Sequence, residues 1–120
     1  MTEVLLSLKP KWWEKIASGE KTVEIRKTAP NRRLPFKVLV YETKEGRGAI
    51  VGEFKVRGVI KGFTNSLYPN LRSCLTDEEI EAYGHGKAYG WEISNVRKYR
   101  KPISLSEIGV SRAPQSWIYL

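Results

Sequence analysis

The chain is expected to fold as a mixed α+β protein, a β-barrel of five to six mostly antiparallel strands with two or three short helices. Three observations lead there. Its 120 residues make one ordinary domain and leave no room for a second, so residues 1–120 are expected to form one unit. Short runs of β-branched and aromatic residues with period-two alternation recur along it, separated by turns rich in Gly and Pro. Helix signals are few, and a strand-rich chain of this size hides its sheet edges best by closing on itself.

Val4 to Lys9 reads as a short strand, and Pro10 follows at the first turn of a helix, where its missing N–H costs nothing. Trp12, Trp13, Ile16 and Ala17 recur at helical spacing, and Gly19 supplies the stop. In the strand Thr22 to Thr28, Val23 and Ile25 alternate against Thr22, Glu24 and Arg26. A basic, Pro-flanked loop, Ala29 to Pro35, leads to a strand from Phe36 to Thr43. Glu45-Gly46-Arg47-Gly48 turns the chain into a returning strand, Ile50 to Ile60, which makes a meander. Thr76-Asp77-Glu78-Glu79 is a capping box with Ile80 and Tyr83 behind it, predicting a short helix. Tyr89 to Tyr99 has strand composition, and Ser116 to Tyr119 is expected to be the strand that closes the sheet.

With 41% hydrophobic and 28% charged residues the composition is that of a soluble globular chain. Cys74 is the sole cysteine, so no internal disulfide forms, and the start Met1-Thr2-Glu3 lacks the basic and apolar regions of a leader. No apolar run approaches the roughly 18 residues of a membrane span. These features together point to a cytoplasmic protein without a membrane partner. The net charge of +8, 21 Lys and Arg against 13 Asp and Glu, favours a polyanionic partner, while solubility alone is the plainer explanation. His85 is the only histidine and Cys74–His85 matches no metal spacing, so neither a Ser-His-Asp triad nor a metal site nor a cofactor site is expected.

The run from Leu8-Lys9-Pro10 through Gly19-Glu20-Lys21-Thr22-Val23-Glu24-Ile25-Arg26 resembles the ASCH family, whose signature is Gly-x-Lys-x-x-Glu-x-Arg after a helix. All four positions match, as Gly19, Lys21, Glu24 and Arg26, and Arg112 to Trp117 is similar to a segment common in small members. The resemblance implies a PUA-like barrel with a cleft beside the signature strand that holds RNA or a nucleotide. It also implies two enzymatic possibilities, since some small ASCH-like proteins are amidohydrolases of acetylated cytidine and others ribonucleases. The amidohydrolases use a lysine, a threonine and a distant glutamate; Lys21 fits the lysine, but Glu24 stands where the threonine would lie, and Thr22 is misplaced for it. Glu79 or Glu81 is the candidate for the distant carboxylate.

The residues themselves allow the same site. Glu24 and Arg26 share a strand face, about 7 Å apart along it, and Thr22 lies on that side too. Arg presents a planar fork of donors to phosphate or carbonyl oxygens, and Glu accepts from an exocyclic amine or holds the Arg. Desolvation of Lys21 would lower its pKa and make it a base or nucleophile. If the cleft is catalytic, Lys21, Glu24 and Arg26 are the candidates. As ligand contacts they are joined by Trp12 as a stacking face, Arg32 and Arg33 on phosphates, and Gln115, Ser116 and Trp117 at the last turn. A second basic run, Arg97, Lys98, Arg100 and Lys101, also suits a phosphate backbone. Three readings stay open: a module that binds RNA or a nucleotide-like ligand, a small hydrolase working in the same cleft, and a scaffold whose charges pin a loop.

Overall fold

The computed structural model describes residues 3–120. Met1 and Thr2, on which the expectation of a leaderless start partly rests, lie outside it. Among the described residues the strands are β1 (Val4–Leu8), β2 (Val23–Arg26), β3 (Phe36–Glu42), β4 (Ala49–Lys61), β5 (Tyr89–Ile103) and β6 (Trp117–Tyr119). The helices are α1 (Pro10–Ala17) and α2 (Asp77–Gly84), with a 3₁₀ turn at Leu105–Ile108. The mixed α+β class and the strand and helix counts thus agree with the sequence.

All six strands form one curled sheet in the order β2-β5-β4-β3-β1-β6. β3, β4 and β5 are the meander, β1 lies parallel to β3, and the other pairs are antiparallel. The parallel pair is possible because α1 and β2 supply the long crossover it needs. Pro10 does open α1, which ends at Ala17 with Ser18 as its cap, and Gly19 then turns away at φ +85°. Thr76 and Glu79 complete the capping box that starts α2, whose acidic first turn also suits the helix dipole.

Packing on β2 is what aims the site. Val23 and Ile25 are buried with Phe63, Ile80 and Ala88, so α2 and the preceding loop cover one face of the strand. With period two, Glu24 and Arg26 must then face the opposite way. Inside the curl, Trp91 and Phe36 meet edge to face among Leu6, Leu8, Val38, Val40 and Phe54. Trp13 and Ile16 dock α1 on this core, and Gly52 makes room for it: a Cβ there would sit 2.5 Å from the Trp13 ring. The residues after β5 cover a third cluster around Leu5, Leu39, Tyr41 and Ile50.

Two elements differ from expectation. β6 pairs with β1 but does not reach β2, so the expected closure is a half-barrel with a seam between the edge strands β2 and β6. Strands of four and three residues are too short to bridge it by a ladder, and side chains do so instead. Trp117 Nε1 donates to Thr28 Oγ1 at 2.9 Å, and the Asn31 N–H donates to the Tyr119 hydroxyl at 2.8 Å. β5, expected to stop at Tyr99, runs through Pro102 to Ile103. Proline is tolerated because β2 pairs only with Tyr89–Glu92, which leaves the far half of β5 with one neighbouring strand.

Candidate functional site

The signature strand lines a cavity of about 430 Å³ at the seam, bounded by Ser7, Lys9 and Trp12 on one side and by Leu75, Glu79 and Tyr83 on the other. Lys21, Glu24 and Arg26 form its charged wall, and Ile25, Thr43 and Gln115 complete the lining. The volume lies at the lower end of the usual range for small-molecule sites, about 300–1,000 Å³, and has room for one nucleotide-sized unit.

The three charged side chains are one connected row. Arg26 Nε donates to Glu24 Oε2 at 2.8 Å, and Lys21 Nζ lies 3.6 Å from Glu24 Oε1. Lys21 and Glu24 are 2% and 5% exposed, which places this pair in a low-dielectric setting, unlike a surface ion pair. Lys21 Nζ also donates to the Ser73 carbonyl and lies 5.1 Å from the centre of the Trp12 ring. Burial pushes the Lys21 ammonium below the ordinary lysine range, an effect only partly opposed by the Glu24 carboxylate. Arg26 spans the seam, donating to the Ser7 carbonyl and to Ser116 Oγ, both at 3.0 Å. Of its five N–H donors three are used among the described residues, so two remain for a ligand.

The loop that pins Lys21 is itself held. Ser73 Oγ donates to Asn65 Oδ1 at 2.7 Å, Asn65 Nδ2 donates to the Leu75 carbonyl at 2.7 Å, and the Asn65 N–H donates to Asp77 Oδ1 at 2.7 Å. The Arg72 N–H donates to Thr22 Oγ1 at 2.8 Å, which draws Thr22 to the loop and out of the cavity lining.

Of the residues singled out from the sequence, Trp12, Lys21, Glu24, Arg26 and Gln115 line the cavity, and Ser116 touches it through Arg26. Trp117 packs edge to face on Trp91 and Tyr119 at the seam. The Arg32 guanidinium lies 3.8 Å from the Tyr119 ring centre, and Arg33 is exposed; neither lines the cavity. Glu79 lines it, while Glu81 faces a separate hollow behind α2. Sequence reasoning missed Ser7, Lys9, Thr43, Leu75 and Tyr83 as lining, and also Ile25, which it set on the other face of β2. Thr43 stands apart, because its Oγ1 is buried without a hydrogen-bond partner among the described residues. Lys9 carried a readable signal, a charge beside the signature helix; Tyr83, read with Ile80 as the apolar side of the capped helix, and Thr43 carried none.

The ASCH domain family matches residues 6–103. The chain belongs to the ASCH family. A similar ASCH protein is the "ASCH domain-containing ribonuclease" of Zymomonas mobilis, 28% identical over 126 aligned positions that cover 98% of this chain and 84% of that one. The crystal structure of ASCH from Zymomonas mobilis superposes with a TM-score of 0.81 at 28% identity, covering 98% of this chain and 87% of that one. A solved variant of it, with a tyrosine replaced by phenylalanine, gives a TM-score of 0.80 at 26% identity over 98% of this chain and 89% of that one. The ASCH sequence is also similar to the "Large ribosomal subunit protein uL22" of Ureaplasma parvum, 33% identical over 105 residues. That match covers 84% of this chain and spans a third of the other protein's length.

Proposed function

We propose that this ASCH protein binds RNA by seating one nucleotide in the seam cavity, with its charged row on the base or phosphate. The observation that carries the reading is the connected row Lys21–Glu24–Arg26, buried at Lys21 and Glu24, which forms one wall of a nucleotide-sized cavity. Trp12 gives a ring for stacking, Arg26 keeps two free N–H donors for phosphate or carbonyl oxygens, and Glu24 is placed to accept from an exocyclic amine. The net charge of +8 and the likeness to proteins named for the ribosomal large subunit and for ribonuclease activity support an RNA partner. The test is a titration of labelled single-stranded RNA at two salt concentrations. RNA binds with a steep salt slope, and Lys21→Ala and Arg26→Ala each raise Kd at least tenfold, about 1.4 kcal/mol. Equal binding by both variants sinks this use of the cleft.

A second reading, cleavage, is favoured by the desolvated Lys21. A neutral Lys21 would take the proton from a ribose 2′-hydroxyl as its oxygen attacks phosphorus, with Arg26 facing the charge gathered on the phosphoryl oxygens. The P–O5′ bond breaks to leave a 2′,3′-cyclic phosphate, and the proton is returned to the departing oxygen. Cyclic-phosphate ends that vanish in Lys21→Met, without rescue by Lys21→Arg, support it; intact RNA after long incubation rules it out. The Glu24 position speaks against the threonine-dependent deacetylation of acetylated cytidine, and that nucleoside serves as the control substrate.

A further inference from the structure

We infer that the far half of β5 is a second nucleic-acid contact, a track for the phosphate backbone leading away from the cleft. The inference rests on the RNA reading of the cleft and extends it to a surface that the family signature does not include. Trp91 of β5 pairs with Glu24, and Arg97, Lys98, Arg100 and Lys101 follow on the same strand. At about 3.3 Å per residue, these cations begin about 20 Å from the signature carboxylate and end about 33 Å from it. β2 leaves β5 after Glu92, and among the described residues no strand takes its place along that edge.

Three features separate this strand from an ordinary charged face. All four cations are exposed, and among the described residues none is in an ion pair. Lys15, Lys37 and Arg57 do sit beside carboxylates, while other exposed cations such as Lys55 and Lys61 are, among the described residues, as unpaired as these, so what sets β5 apart is four such cations within five residues of one strand. The one carboxylate lining the hollow of about 670 Å³ at this strand is Glu53, and it is already engaged. Tyr99 donates to it at 2.6 Å, and Lys37 Nζ lies 3.5 Å away. The Arg97 guanidinium sits 5.7 Å from the ring centre of the Tyr99 so held, which adds a flat face to the row. Pro102, which cannot donate to a further strand, also lies on this edge. Four like charges on one strand repel one another, and a single strand's phosphates supply the missing countercharge.

The experiment compares labelled RNAs of about 4 and about 20 nucleotides on the full chain, since salt slopes count the phosphates engaged. The variant is Arg97→Gln/Lys98→Gln/Arg100→Gln/Lys101→Gln. For the long RNA the slope of log Kd on log salt falls by about 0.7 for each phosphate no longer neutralised, about 2 to 3 in all. Affinity drops at least tenfold, and the short RNA binds both proteins alike. Arg100→Gln/Lys101→Gln, two exposed positions, gives about half the slope change and guards against a folding defect in the larger variant. An unchanged slope with the long RNA overturns the track while the cleft reading stands, whereas failure of both RNAs to bind the unmodified protein overturns both. If polyglutamate binds and the variant loses it while RNA binding is unaltered, the strand belongs to an acidic protein partner and the inference fails.

Discussion

The two ends of β5 use positive charge in opposite ways. At the end beside β2, Lys21 and Arg26 are drawn to one buried carboxylate, tied to the backbone of Ser73 and Ser7, and held at fixed distances. At the far end, four cations stand in solvent without carboxylate partners among the described residues. The first arrangement spends desolvation to fix geometry, which suits recognition of one chemical unit; the second keeps charge hydrated and mobile, which suits a sequence-indifferent backbone. The difference shows that a net charge of +8 is not one property of this protein but two.

Glu24→Gln should erase the distinction most severely. Removing the shared carboxylate leaves two cations facing a cavity wall with nothing between them, and a loss of about 3 kcal/mol or more is expected in urea denaturation. A loss below about 1 kcal/mol would mean that the row is solvated like the far strand. Lys21→Met probes the buried end through pH. The folded-state pKa of Lys21 lies below its ordinary 10.5, so the unfolded chain binds more protons between the two values, and this residue makes stability rise with pH through that window. Tyr99 works against it: burial, with help from Glu53, holds its hydroxyl above the usual range, so its share of stability is lost as pH climbs past 10.0. Subtracting the Lys21→Met profile from that of the unmodified protein isolates the lysine, and the difference should rise toward pH 10.5. A flat difference would show that Lys21 is not desolvated. The smallest effect belongs to the fourfold glutamine variant of β5, whose stability should change by less than about 0.5 kcal/mol, because exposed, unpaired cations contribute little to the fold.

Much of this was legible from residues alone. The alternation of Val23 and Ile25 against Glu24 and Arg26 fixed which side of β2 is polar, and Pro10, Gly19 and the Thr76–Glu79 box marked helix ends by local chemistry. A second capping box, Ser104 with Glu107, sat unread in the sequence and caps the 3₁₀ turn. The rest depends on contacts between distant residues. Nothing local says that the Ser73 carbonyl meets Lys21, a pairing across 52 residues, or that Ser7 and Thr43 arrive at the same cavity. Nor does a final strand announce its neighbour: Trp117–Tyr119 is a strand as expected, but it pairs with β1.

The seam left by that pairing gives the molecule a mechanical property. A barrel closed by a hydrogen-bonded ladder parts only when several backbone bonds break together, whereas β2 and β6 are fastened by separate clasps at Arg26–Ser116, Trp117–Thr28 and Tyr119–Asn31. Clasps release singly, and each releases at a side chain without unfolding a strand. Arg26 is at once one of these fasteners and part of the cavity wall, so releasing that single clasp alters the cavity while the other two still hold the seam.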